Sequence, residues 1–221
     1  MYDAIVVGAR CAGSPVAMLL ARRGWSVLLV DKNTFPSDTM STHFIHPTGI
    51  ACLKRWGLLE KVIESNCPPV SKWMIDFGSV TLTGPPPIDG VAEAYCPRRV
   101  VLDEILARAA QRAGAELREG FTVREVLMEQ VVGVRGETRG GASLVEHARI
   151  VIGADGLRSV VAHAVNAPIY EERPDLCCAC YTYWDDVPLE GAEFYVRDGR
   201  VALAFPTHDG LVCTFVEWAQ G

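Results

Sequence analysis

One segment limits what this chain can fold into more than any other. An apolar run, Ala4-Ile5-Val6-Val7, leads directly into Gly8-Ala9-Arg10-Cys11-Ala12-Gly13, and a helical pattern then stops at Arg23-Gly24. A second apolar run, Trp25 to Val30, is closed by an acid, Asp31, eighteen positions after Gly13. Strand, glycine turn, helix, strand and acid in this order outline a βαβ unit of the dinucleotide-binding kind. Gly8 lets the chain turn tightly out of the strand. Gly13 lets the helix lie close to the sheet, so that the free N–H groups and the dipole at the helix start meet a pyrophosphate. Asp31 would accept hydrogen bonds from an adenosine ribose and would repel a 2′-phosphate, which favours FAD or NAD over NADP at this position. We assign the turn Gly8, Ala9, Arg10, Cys11, Ala12, Gly13 and Ser14, with Asp31 and Lys32, to the cofactor. Arg10 departs from the pattern. It stands where a middle glycine usually lets backbone approach the phosphates, so its Cβ could crowd them and its cation could help hold them.

The 221 residues suffice for one large domain or two small ones, and 49% hydrophobic with 22% charged residues suits a globular fold. Asp and Glu outnumber Lys and Arg, 27 to 21, and no basic cluster resembles a nucleic-acid surface. Asp3 stands where a signal peptide needs positive charge, and no apolar segment reaches spanning length. The chain therefore reads as cytoplasmic, with no integral membrane segment. In that compartment its eight cysteines stay reduced. Cys177-Cys178-Ala179-Cys180 lacks a second pair of ligands for zinc, so no metal is expected, and Cys178 and Cys180 are read as small hydrophobes pointing into a core.

Helical spacing predicts a first helix from Gly13 to Arg23 with Val16, Leu19 and Leu20 inward, then helices at Pro47–Trp56 and Leu58–Ser65. A further helix from Val100 to Ala113 would carry Asp103 and Glu104 in its first turn, with Gly114 as its stop. Residues 66–97, with six prolines, and the short β-like runs Trp73–Phe77 and Val80–Thr83, look like an excursion that could form a substrate-facing hairpin. Strands follow at Glu116–Arg118, Thr122–Glu129, Val131–Glu137 and Leu144–Ile152, with Gly140-Gly141 as a hairpin tip. From Pro168 to Trp218 the pattern is antiparallel sheet broken at Arg197-Asp198-Gly199 and His208-Asp209-Gly210. Its aromatics Tyr181, Tyr183, Phe194, Tyr195 and Phe205 suit a hydrophobic ligand or a core, and core is favoured.

A second glycine-rich acidic turn follows an apolar strand at Arg149-Ile150-Val151-Ile152-Gly153-Ala154-Asp155-Gly156-Leu157-Arg158-Ser159. Together with the N-terminal unit and Arg99-Val100-Val101-Leu102-Asp103, it resembles the flavoprotein monooxygenases of the para-hydroxybenzoate hydroxylase type and their geranylgeranyl reductase-like relatives. The resemblance implies an α/β fold: a Rossmann-like FAD-binding domain with a mainly parallel sheet and an inserted antiparallel β substrate domain. It implies that Asp155, Gly156 and Ser159 lie near the FAD pyrophosphate, Arg99 near the phosphates or ribityl chain, and Val123 where backbone holds the adenine. We expect residues 1–66 and 97–166 in the FAD domain and 67–96 and 167–221 in the substrate domain. The family's third signature, a Gly-Asp segment after the substrate sheet, is not found here, so an N-terminal fragment is expected. Trp184-Asp185-Asp186-Val187-Pro188 is not a convincing match to the tryptophan-rich signature of halogenating relatives.

The implied activity is an FAD-dependent oxidoreductase with NAD(P)H as electron donor, hydroxylating a hydrophobic or aromatic small molecule or reducing a carbon–carbon double bond. A truncated, non-catalytic nucleotide-binding module and a nicotinamide-only dehydrogenase are the alternatives. Catalytic residues are not identified. His43 and His46 lie in a loop that could reach a flavin, but such residues are more often capping or solvated groups.

Overall fold

The computed structural model describes residues 1–84, 90–128, 132–172 and 177–220. The elements in chain order are β1 (Tyr2–Val7), α1 (Gly13–Ala21), β2 (Val27–Val30), α2 (Pro47–Trp56), α3 (Leu59–Glu64), β3 (Pro69–Val70), β4 (Trp73–Asp76), β5 (Thr81–Thr83) and β6 (Ala94–Tyr95). They continue with α4 (Arg99–Arg112), β7 (Glu116–Arg118), β8 (Phe121–Leu127), β9 (Gly133–Thr138), β10 (Ser143–Gly153), α5 (Val160–Ala164), β11 (Cys177–Trp184), β12 (Ala192–Arg197), β13 (Arg200–Pro206) and β14 (Val212–Ala219). The strand ends expected at Glu129 and Val131 lie outside the described residues. The chain forms two compact units, Met1–Thr39 with Arg99–Tyr170, and Met40–Arg98 with Glu171–Gly221.

The first unit is α/β. Its sheet runs β7-β2-β1-β10-β9-β8. β7, β2, β1 and β10 are joined by parallel ladders, and β8 and β9 add antiparallel ones. β10 serves both regions, because Ser143–His147 pair antiparallel with β9 while Ala148–Gly153 pair parallel with β1. Side chains alternate along a strand, so Ile5, Val7, Leu28 and Val30 share one face, where they pack with Phe121, Val123, Val126 and Val134. α1 packs on β1 and β2 and against α4. Sequestering both faces explains why Val27–Val30 read as an unbroken apolar run. Each such side chain removed from water contributes about 1.5–3 kcal/mol.

Two expectations need correction here. α1 buries Gly13, Ser14, Pro15, Ala17 and Met18, while Val16, Leu19 and Leu20 are only partly buried. With sheet on one side and α4 on another, the helix turns its small residues to the close contacts. α4 begins at Arg99, so Asp103 lies a full turn inside the helix rather than in its first turn, and it is fully buried. Its role is therefore set by ion pairing and not by the helix dipole.

The second unit is built on the sheet β11-β14-β13-β12-β4-β5, antiparallel except for the β12–β4 ladder, with β3 and β6 as a separate pair. Its core joins Val70, Ala94, Cys96, Ala192, Phe205 and Cys213, flanked by Phe44, Trp73, Tyr181, Tyr183, Phe194 and Leu203. Of the five aromatics named above, Phe205 is thus core, and Tyr181, Tyr183 and Phe194 pack against that core half-buried. Tyr195, of opposite parity to Phe194, turns away and donates its hydroxyl to Glu193 at 2.6 Å. Cys180 is exposed and Cys178 only partly buried, because β11 is the edge strand and its outward side chains have no covering layer; the buried cysteines are Cys67, Cys96 and Cys213. Residues 40–66, grouped above with the nucleotide domain, belong to this unit, since α2 packs on β6, Ile45 bridges to Tyr95 and Ser65 bonds to His208. No helix of the described residues is long and apolar enough to cross a membrane.

Candidate functional site

At the carboxyl ends of β1, β2 and β10, the first unit holds a cleft of about 570 Å³. This is within the range of roughly 300–1,000 Å³ usual for small-molecule sites. The turn after β1 forms its floor. Gly8 has φ +101°, and a Cβ there would stand 2.4 Å from the Ala154 carbonyl oxygen. A Cβ on Gly13 would lie 1.8 Å from the Gly8 carbonyl oxygen, so only glycine permits α1 to begin there. The N-cap of α1 is Ala12, with no side-chain cap and no acid in the first turn. That leaves the helix start suited to an anion.

Asp31 fastens the turn to β2. Its Oδ2 accepts the Ala9 N–H at 2.8 Å, and its Oδ1 accepts the Asn33 backbone N–H at 2.8 Å and the Asn33 side-chain amide at 3.2 Å. The carboxylate is buried but lines the cleft beside Lys32 and Asn33. Ala9 is fully buried, and Ser14 closes the turn by donating to the Ala9 carbonyl at 2.8 Å.

On the α4 side the lining is cationic. Arg99 donates Nε and a terminal nitrogen to the two oxygens of Asp103, at 2.9 and 3.0 Å. Burial opposes the Arg99 charge, but these bonds outweigh it and raise the pKa above the usual arginine value. Arg10 also pairs with Asp103, donates to the Ser37 carbonyl at 3.3 Å and the Ser37 hydroxyl at 3.0 Å, and lies 5.7 Å from the centre of the Phe35 ring. Cys11 donates its thiol to Asp103 at 3.3 Å; desolvation and the Asp103 charge push its pKa up to about 12. It is therefore a neutral thiol, not a nucleophile.

The remaining wall comes from β8 and the second glycine turn. Val123 lines the cleft next to a β-bulge at Val123–Glu125. Asp155 and Gly156 also line it, with Gly156 at φ +80°. Asp155 is itself committed to the turn, accepting from the Ser159 hydroxyl at 2.5 Å and the Val160 N–H at 2.7 Å. Ser159 caps α5 by accepting the Ala162 N–H at 2.9 Å. Gly8, Arg10, Cys11, Ala12, Asp31, Lys32, Arg99, Val123, Asp155 and Gly156 thus share one lining, whereas Ala9, Gly13, Ser14 and Ser159 stand behind it as supports. Asn33, Thr39, Arg124 and Arg158 also line the cleft and were not singled out from sequence. Asn33, Thr39 and Arg158 sit in loops and Arg124 on β8, where no glycine pattern marks them as ligand contacts. An acid at one wall and two guanidinium groups at another match the ribose and pyrophosphate of an adenine dinucleotide, so the donor set fits FAD.

His43 is the other correction. It is buried rather than solvated, with Nε2 2.5 Å from the Tyr183 hydroxyl and its ring stacked on that tyrosine, in the second unit. His46 is exposed, tilted against Phe44 and Trp73. In the same unit β4 and β5 form the expected hairpin, bordering a cavity of about 520 Å³ that includes Trp73, Met74 and Ala192.

The chain is 29% identical over 188 residues to digeranylgeranylglycerophospholipid reductase 1 of Methanopyrus kandleri, covering 82% of this chain and 46% of that protein. It is 31% identical over 165 residues to a rifampicin monooxygenase of Rhodococcus hoagii, covering 73% and 33%. Among solved structures, the myxobacterial FAD-dependent chondrochloren halogenase CndH superposes with a TM-score of 0.83 at 26% identity, over 99% of this chain and 52% of that one. The chain spans less than half the length of these two curated relatives. Residues 1–182 match the FAD binding domain family FAD_binding_3, and the chain belongs to that family.

Proposed function

We propose that the protein works as a cytoplasmic FAD-dependent monooxygenase that takes electrons from NAD(P)H and acts on a hydrophobic or aromatic small molecule. The observation that carries this reading is the single cleft that combines Asp31 with Arg10 and Arg99 at the start of α1, in a member of an FAD binding domain family. Bound FAD supplies the redox chemistry, and the protein binds, orients and excludes water. Asp31, oriented by Ala9 and Asn33, would accept the ribose hydroxyls. Arg99 and the α1 N-terminus would hold the pyrophosphate, the Val123 backbone the adenine, and the Asp155-Gly156 turn, braced by Ser159, would close the phosphate side. We assign the second unit to the substrate. Rifampicin monooxygenase supports oxygenation; the archaeal reductase supports double-bond reduction as the second reading.

Visible absorption of the purified protein, with chromatography of any ligand released on denaturation, tests this. Stoichiometric FAD followed by NAD(P)H consumption with substrate hydroxylation supports it. Bound NAD without flavin would favour a nicotinamide-only dehydrogenase. FAD without turnover would favour a non-catalytic nucleotide-binding module.

A further inference from the structure

Tyr2 and Tyr195 donate their hydroxyls to carboxylates, Glu116 and Glu193, each at 2.6 Å. Tyr183 instead meets an imidazole. Its hydroxyl lies 2.5 Å from His43 Nε2, and the two rings stack with an angle of 10° between their planes. An imidazole binds a proton about two pH units more tightly than a carboxylate, so it is the stronger base. His43 is 3% exposed, and its backbone sits in the left-handed region at φ +59°, where its N–H donates to the Ser41 hydroxyl at 3.1 Å. Residues other than glycine seldom adopt that backbone, so the fold tolerates strain to keep this imidazole against this phenol.

The surroundings decide what the pair can do. The Arg98 guanidinium lies 5.2 Å from the centre of the Tyr183 ring and pairs at 3.3 Å with Asp209, whose side chain is 72% exposed. The cation is thus over the ring, while its counter-charge faces water. His208, which accepts the Arg98 backbone N–H, is neutral at neutral pH because desolvation lowers its pKa. Cys213, opposite Tyr183 in the β11–β14 ladder, is a neutral thiol, pushed up to about 12 by desolvation. Removing an electron alone from Tyr183 would set a positive ring beside Arg98, which Coulomb repulsion opposes. Electron loss becomes feasible when the hydroxyl proton leaves with it, and His43 Nε2 is already within bonding distance. An imidazolium formed there has the Tyr181 ring centre 5.4 Å away, inside cation–π reach.

We propose that Tyr183 and His43 form a redox-active pair, a site at which the second unit gives up one electron to a one-electron oxidant such as a photoexcited flavin or an oxidised metal–bipyridine complex. The Tyr183 O–H bond breaks and a His43 Nε2–H bond forms. The electron passes to the oxidant, leaving a neutral tyrosyl radical and an imidazolium. Return of one electron from a reductant restores the phenol, with its proton coming back from His43. The pair gives the unit one defined place to hold an oxidising equivalent, away from the other rings of its core. It makes no use of the nucleotide cleft and stands or falls apart from the function proposed above.

Oxidation of the purified protein by photogenerated tris(bipyridine)ruthenium(III) tests it, read by paramagnetic resonance of frozen samples and by kinetics in H2O and D2O at neutral pH. The wild-type protein should give a long-lived tyrosyl signal that forms more slowly in D2O, because electron and proton leave together. Tyr183→Phe should lose most of that signal, and Tyr195→Phe should keep it. His43→Gln, which still offers a hydrogen bond but is no base, should lower the yield and abolish the deuterium effect on what remains. A signal unchanged by Tyr183→Phe, or a yield and deuterium effect unchanged by His43→Gln, would overturn the proposal. So would wild-type protein with no tyrosyl signal or no deuterium effect, a result that holds whether or not the variants fold.

Discussion

The Ala9 backbone N–H donates to the Asp31 carboxylate at 2.8 Å, tying the turn after β1 to the end of β2. The same carboxylate accepts from Asn33. One side chain therefore fixes the two loops that form the cleft floor and still presents an oxygen surface to it. Asp31→Ala should leave buried donors unpaired and cost about 2 kcal/mol of stability, read from the urea midpoint. It should also abolish measurable adenosine binding.

Gly13 faces a harder constraint than conformational preference. With a Cβ 1.8 Å from a backbone oxygen, Gly13→Ala cannot be relieved by a side-chain rotation, and α1 must shift bodily. A loss of more than about 3 kcal/mol, or failure to fold, is expected by circular dichroism melting, well above the usual effect of a helical glycine-to-alanine change. An ordinary melting temperature would refute the close approach.

Asp103 balances two guanidinium groups while fully buried. Asp103→Asn should cost on the order of 3 kcal/mol, because the paired cations lose their counter-charge. Arg10→Gly should be much milder in the same denaturation experiment, since Arg99 still neutralises the carboxylate.

His208 gives the second unit a pH dependence. Its Nδ1 accepts the Arg98 N–H at 3.2 Å, so Nε2 carries the proton toward the Ser65 hydroxyl at 2.9 Å, which donates to the Val62 carbonyl. Desolvation lowers its pKa below 6.5, with Asp209 opposing and Arg98 assisting. A folded-state value below the unfolded one means that the unfolded chain binds more protons in the interval between them. Stability present at neutral pH is therefore lost as pH falls below 6.5 toward the folded-state value. His208→Asn, which does not ionise, should flatten the difference between urea midpoints measured at about pH 7.5 and about pH 5.5, the range over which histidine titrates.

Thiol labelling at neutral pH should mark Cys180 well before Cys11. Both residues are exposed, but desolvation of the thiol and the Asp103 charge raise Cys11 to about 12, which lowers its thiolate fraction. Fast labelling of Cys11 would contradict its donation to Asp103.

The sequence alone determined the βαβ unit, because Gly8, Gly13 and the apolar runs of β1 and β2 act through local sterics and strand periodicity, which survive in one dimension. It also placed the α4 helix, the antiparallel strands of the second unit and a family resemblance whose named positions largely line one cleft. Tertiary structure decided the rest. Asp103 reads in sequence as an ordinary acid early in a helix; only the approach of α1 and α4 brings Arg10 to it across more than ninety positions. His43 reads as a loop residue until Tyr183, from a strand far along the chain, comes to lie against it. Cys178 and Cys180 read as core because alternation gives a strand's two faces but not which of them another layer covers. Ion pairing and burial depend on distances between segments remote in the chain, and spacing along the sequence carries no record of those distances.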